Sequence, residues 1–127
     1  METEVIFGQV VAKANHYKAV PDGRGGRRII KDEAVRQYER RFSEQCRVYR
    51  GRGIREPFRL TIRVYTSSAR FDLDNSLKTV LDCLQYVQAI TDDSLCYSII
   101  AEKHLSDRPR VEYAIEPLYK QGTLFPG

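Results

Sequence analysis

Apolar positions along this chain follow first one period and then another, and that pattern alone lays out a series of elements. Glu4 to Val11 is rich in β-branched residues and predicts a first strand. The next distinctive stretch, Pro21-Asp22-Gly23-Arg24-Gly25-Gly26-Arg27-Arg28, has neither period and is expected to be a flexible basic loop. From Asp32 onward, Val35, Tyr38, Phe42, Cys46 and Tyr49 recur at helical spacing. Asp32 and Glu33 stand where the helix dipole favours acids, so the pattern predicts a helix of about five turns ending at Arg50. Beyond Gly51 and Gly53, Phe58, Leu60, Ile62 and Val64 alternate with Arg59, Thr61, Arg63 and Tyr65, as in a strand with one buried face. Leu77, Val80, Leu81, Leu84 and Val87 mark a second amphipathic helix, entered at Asp74-Asn75 and running to about Gln88. Tyr97, Ile99 and Ala101, then Val111, Tyr113 and Ile115, predict two strands joined across Ser106-Asp107-Arg108-Pro109. The order β-α-β-α-β-β implies an α+β fold with a mixed sheet of about four strands and two main helices. Residues 1–117 read as the domain and 118–127 as a loosely attached tail.

Composition narrows the picture. A chain of 127 residues has room for one core, and 42% hydrophobic with 30% charged residues is too apolar for disorder and too polar for a membrane span. No membrane association is expected. The stretch Met1-Glu2-Thr3-Glu4 is acidic where an export signal would be basic, so the expected location is the cytoplasm. Cys46, Cys83 and Cys96 lack any C-x-x-C spacing and read as core thiols. The net charge of +4 is unevenly spread: between Lys18 and Arg59 there are 13 Lys or Arg against 6 Asp or Glu, while the remainder is net acidic. A basic surface beside an acidic cluster suits an enzyme that handles a polyanion with a cation.

The candidate chemistry lies at Asp72 and Asp74. They sit two apart at a strand-to-helix junction, where extended backbone sends alternate side chains the same way. Two carboxylates so placed suit a hard divalent cation such as Mg²⁺. Lys78 follows one helical turn after Asp74, where it would contact a phosphate, protonate a leaving oxygen or pair with Asp74. Asp92-Asp93 come just after the helix. The competing account makes these acids helix caps and turn residues in a non-catalytic DNA-binding module. His16 and His104 have no nucleophile or second ligand at useful spacing, and Gly23 to Gly26 lacks the Lys-Ser/Thr ending of a phosphate loop. A nucleotide-sugar transferase using the D-x-D would need a much larger chain.

The stretch Arg70-Phe71-Asp72-Leu73-Asp74-Asn75-Ser76-Leu77-Lys78, an apolar helix, and then Asp93 nineteen residues after Asp74 resemble the RusA family of Holliday junction resolvases, small endodeoxyribonucleases of prophage and bacterial origin. The resemblance implies that Asp72, Asp74 and Asp93 are metal-binding acids and Lys78 a catalytic lysine. It further implies Mg²⁺ as cofactor, with Mn²⁺ a possible substitute, and a homodimer that nicks two strands of branched DNA symmetrically in recombination and repair. Asn15-His16-Tyr17 resembles the family's N-terminal Asn/Tyr segment, whereas the proline-rich stretch that members often carry after the first strand is replaced by Gln9-Val10-Val11-Ala12-Lys13.

A helix from Asn75 to Gln88 would be about 20 Å long and would hold Asp74 and Asp93 near opposite ends. The expectation is a dimer whose second helices pair antiparallel, so that each site draws Asp93 from the other subunit; the alternative is a return loop that completes the site within one chain. Arg24, Arg27, Arg28 and Lys31 are expected to contact phosphates, with Arg70 and Asn15 also at the DNA and Tyr17 stacking on an unpaired base. Gln121-Gly122-Thr123-Leu124-Phe125 resembles the Q-x-x-L-F peptides that dock on bacterial sliding clamps, so Gln121, Leu124 and Phe125 are candidate partner contacts.

Overall fold

Alternation in the segment 58–66 becomes a strand with its apolar side fully buried: Phe58, Leu60 and Val64 expose nothing and Ile62 only 1%. The computed structural model describes residues 2–12, 17–31 and 33–118; of residues 17, 18 and 28–31 it describes the backbone alone. The elements are β1 (Glu4–Phe7), β2 (Tyr17–Pro21), β3 (Arg27–Lys31), α1 (Glu33–Gln45), β4 (Phe58–Thr66), α2 (Leu73–Tyr86), a 3-10 turn at Asp93–Leu95, β5 (Cys96–Leu105) and β6 (Arg110–Pro117). A four-stranded mixed sheet has the order β1-β6-β4-β5, with β4 parallel to β5 and antiparallel to β6. Two helices on a four-stranded mixed sheet are the expected α+β domain. Tyr38 and Phe42 of α1 and Val80, Cys83 and Leu84 of α2 join the β4 residues in one core.

Three boundaries differ from the sequence expectation, each for a local reason. The first strand ends at Phe7, because Gly8 takes φ +115° and turns the chain. The supposed loose loop is a hairpin, in which β2 and β3 pair antiparallel from Tyr17↔Lys31 to Pro21↔Arg27. Its turn is built by Asp22, whose Oδ1 accepts from the N–H groups of Arg24 (2.7 Å) and Gly26 (3.0 Å), and by Gly23 and Gly25, both at φ +82°. The first helix stops at Gln45, not Arg50, although Cys46 and Tyr49 still point into the core.

A buried acid ends that helix. Glu4, 4% exposed, accepts from the N–H groups of Arg47 (2.7 Å), Val48 (2.9 Å) and Tyr49 (3.2 Å), from the Tyr113 hydroxyl (2.9 Å) and from the Cys46 thiol (3.2 Å). Burial alone would raise its carboxyl, but the three backbone donors and the thiol together hold it below the ordinary value. Tyr113 is also packed between the rings of Phe42 (5.9 Å) and Tyr49 (5.6 Å).

The opposite face of the sheet neutralises itself. Arg59 pairs with Glu116 (3.5 Å), Arg63 with Glu102 (3.4 Å) and Arg110 with Glu112 (2.9 Å), and the Arg110 guanidinium lies 3.8 Å from the centre of the Tyr65 ring. Among the described residues no helix is long and apolar enough to cross a membrane.

Glu4→Ala strands three backbone donors, and its expected cost is about 3 kcal/mol of unfolding free energy in urea titrations. Because the folded-state pKa is depressed, this contribution is complete above the ordinary glutamate value of 4.5 and is lost as pH falls through the lower folded value. In the variant, the acid limb of the stability curve should flatten.

Candidate active site

The junction between β4 and α2 assembles the acidic pair. Asp72 precedes the helix with extended backbone (φ −97°, ψ 106°) and makes no side-chain cap bond, although it occupies the capping position. Its Oδ2 instead accepts from Asn75 Nδ2 at 2.8 Å, while Asp74 Oδ1 accepts from the Asn75 N–H at 3.0 Å. Both carboxylates are exposed. Asp74, close enough to share a proton and repel a second charge, pushes the Asp72 carboxyl above the ordinary range; Asn75 and Lys103 pull it back only in part. The N-terminal end of α2 favours negative charge, which offsets some of that repulsion.

Lys78 does not pair with Asp74. Its Nζ lies 2.5 Å from Asp93 Oδ2 and 3.1 Å from Asp82 Oδ1, and these two acids, Asp93 first, raise its pKa and keep it charged. Asp93 is fixed from the other side as well, its N–H donating to Gln85 Oε1 at 3.2 Å. Its neighbour Asp92 takes the capping duty, accepting from the Ser94 N–H at 3.2 Å, and this leaves the Asp93 carboxylate turned towards Lys78. The chain reaches this point by a tied return: Gln88 at φ +62° reverses the direction, and Ile54 and Ile90 form a short parallel bridge.

One chain therefore holds two separate acidic centres on one helix. Asp72 and Asp74 stand at its first turn; Asp93 stands beside its third, with Lys78 stretched between. Among the described residues no three His, Cys, Asp or Glu side chains come together as a metal cluster. Asp72 and Asp74, two exposed hard-oxygen side chains at one helix entrance, are the residues of this site that could hold a small divalent cation.

Lys103 was not among the sequence candidates. Standing on β5 opposite Val64, it donates from Nζ to the carbonyls of Ala69 and Phe71, both at 2.9 Å, and brings its charge beside Asp72. Alternation within the strand marks it only as one more polar position. Its role follows from the parallel register, which no local pattern encodes. Arg70 is exposed at the same loop, its N–H bonded to Ser68 Oγ (3.2 Å). Arg24 and Arg27 are exposed on the hairpin. Arg28, Lys31 and Tyr17 belong to β3 and β2 by backbone, with their side chains outside the description; Asn15, Gln121, Leu124 and Phe125 lie outside the described residues.

A two-helix α+β domain that gathers carboxylates and lysines at a strand-to-helix junction has the donor set of a domain acting on phosphate esters. The chain belongs to the RusA endodeoxyribonuclease family: the family model, endodeoxyribonuclease RusA, matches residues 8–116. The match takes in both acidic centres and the hairpin. Comparison with individual curated proteins finds no match.

The Asp72 titration gives a direct check on this electrostatic arrangement. In side-chain carboxyl NMR, Asp74→Asn is expected to move it down towards the ordinary range and Lys103→Met to move it further up, with Lys103→Arg close to wild type. Because a raised carboxyl pKa means that ionisation is penalised in the fold, Asp74→Asn should also raise the metal-free Tm at neutral pH. That gain should fade once pH falls far enough to protonate Asp72 in the wild type.

Proposed function

We propose that this protein is a divalent-cation-dependent, structure-selective endodeoxyribonuclease that resolves four-way DNA junctions by paired symmetric nicks, working as a homodimer in recombination and repair. The observation that carries this reading is the Asp72–Asp74 pair, two carboxylates held in mutual repulsion at a helix entrance, of which Asp72 occupies the capping position and makes no cap bond. An acid kept only as a helix cap would bond the free N–H groups of the first turn. Family membership supplies the nuclease class.

In this reading Asp72, Asp74 and Asp93 hold the cation, Mg²⁺ by preference for hard oxygen, with Mn²⁺ able to replace it. When bound, the ion would acidify the attacking water and offset charge gathering on the phosphate. Lys78, held in its charged form by Asp93 and Asp82, is placed to exchange one of those partners for a DNA phosphate. Asn75 fixes the Asp72 carboxylate, and Lys103 fixes the loop that leads to it. Arg70 faces DNA at the same loop. In the same reading Arg24, Arg27, Arg28 and Lys31 of the hairpin sequence contact backbone phosphates, Asn15 is a further DNA contact and Tyr17 stacks on an unpaired base.

The separation of Asp93 from the pair supports a site shared across the dimer. Subunits carrying Asp74→Asn and subunits carrying Asp93→Asn are each expected to be inactive on a synthetic four-way junction in Mg²⁺. Mixed, they form heterodimers with one intact shared site, and nicking should return at about a quarter of the wild-type site count. If each site is complete within one chain, mixing restores nothing. If junctions stay uncut by the wild type under any divalent cation, the nuclease reading fails.

The hairpin yields a separate expectation. Replacing Arg24, Arg27, Arg28 and Lys31 together with Gln should lower the slope of log affinity against log salt by up to about three or four, measured by fluorescence anisotropy on junction DNA. An unchanged slope would remove the hairpin from the interface.

A further inference from the structure

The loop that leads from α1 to β4 carries a charge that neither the core nor the acidic site uses. Between Arg47 and Arg55 the sequence has four arginines and no acid. Arg47, Arg50, Arg52 and Arg55 are all exposed. Like charges so close repel one another, and a surface kept only for solubility intersperses both signs.

Two of the four serve the fold. Arg50 turns back on the end of α1, donating from Nε to the Cys46 carbonyl (3.0 Å) and from its terminal nitrogen to the Ser43 carbonyl and hydroxyl. Arg52 pairs with Glu2 (2.6 Å) and lies 4.6 Å from the centre of the Tyr49 ring. Among the described residues neither Arg47 nor Arg55 has an ion pair or a side-chain hydrogen bond. Arg52 and Arg55 line an open cleft of about 470 Å³ together with Tyr49, Ile54, Ile115 and Pro117.

The same loop is tied to the approach to Asp93. The N–H groups of Gly51 (3.1 Å), Gly53 (2.8 Å) and Ile54 (3.0 Å) donate to the carbonyls of Val87, Gln88 and Ala89, and the Thr91 N–H returns a bond to the Ile54 carbonyl (3.1 Å). Gly51 and Gly53 take φ +73° and +56°, and a Cβ on either would meet nothing within 4 Å, so the surface there is open. Ile54 is bridged to Ile90; Arg55 is the next residue on one side, and Asp93 follows shortly on the other. The arginines and Asp93 are thereby held to one piece of backbone.

We propose that this loop is a second DNA-phosphate surface, in which Arg47 and Arg55 neutralise the backbone of a duplex arm passing beside Asp93. The proposal rests on the DNA-cutting reading above and extends its contacts beyond the hairpin. Family membership favours a polynucleotide as the polyanion that these charges match. Contacts of this kind give affinity and direction to the arm and read no sequence. The surface travels with Asp93 whichever subunit that acid serves, so it stands under either outcome of the mixing experiment.

In metal-free buffer, anisotropy on a four-way junction should give Arg47→Gln/Arg55→Gln a slope of log affinity against log salt lower than wild type by up to about two. Arg36→Gln/Arg41→Gln removes the same two charges from exposed positions of α1 and is expected to keep the wild-type slope. Because the loop variant loses no described bond, its Tm should stay that of the wild type. Amide resonances of Gly51, Gly53 and Ile54 in the wild type should shift as junction is added, a readout that needs no variant. An unchanged slope in the loop variant, an equal loss in both variants, or loop amides that do not shift overturns the proposal; each leaves the nuclease reading standing. A lower slope in the loop variant alone, in a protein that cuts no junction under any divalent cation, upholds the surface and removes the nuclease reading instead. A wild type that binds no DNA overturns both.

Discussion

Parallel strands impose one constraint from which most of this molecule's behaviour follows. When β4 and β5 run the same way, the exit of the first and the entrance of the second lie at opposite ends of the sheet, and α2 must span the distance between them. Asp72 and Asp74 belong to the exit; Asp93 belongs to the entrance. A lysine is long enough to stretch along one helix flank, which is how Lys78 comes to meet Asp93 while Asp74 remains with Asp72.

The acidic pair shows what such an arrangement costs a small fold. Two carboxylates at one helix entrance repel each other, and the chain counters with a helix dipole, the Asn75 amide and the nearby Lys103 charge without cancelling the repulsion. A sequence chosen for stability alone would place a capping Ser or Asn there. Functional sites commonly retain strain of this kind, and the remaining structure must make up the difference. Here the supporting interactions are the single core shared by both helices and the bonds Glu4 makes to the end of α1.

Legibility in the sequence follows the range of the interactions involved. β4 and α2 were readable because burial of one face is repeated every two residues, or every three to four, within the element itself. The pair Asp72 and Asp74 was readable for the same reason, its spacing being local. The end of α1 was not, since Cys46 and Tyr49 keep helical spacing while Glu4, more than forty residues earlier, takes the N–H groups of residues 47–49. The hairpin of β2 and β3 was hidden because its turn depends on the Asp22 side chain and two glycines at positive φ, and neither leaves a trace in hydrophobic periodicity. Lys103 belongs to the same class as Glu4, being assigned its role by a neighbouring strand. Asp93 was readable as one of two adjacent acids, and only the 3-10 turn assigns capping to Asp92.

The bond between Glu4 and Tyr113 also orders events in time. β1 has β6 as its partner in the sheet, and Glu4 draws donors from residues 46–49 and from residue 113. During synthesis the first strand emerges with nothing to pair with, and a carboxylate destined for the interior stays in water until the last strand follows it out. Folding of this domain is accordingly a late, all-at-once closure dominated by distant contacts, slower than its two helices would suggest. A ribosome stalled before residue 110 would carry a chain that lacks β6, the strand that joins β1 to β4.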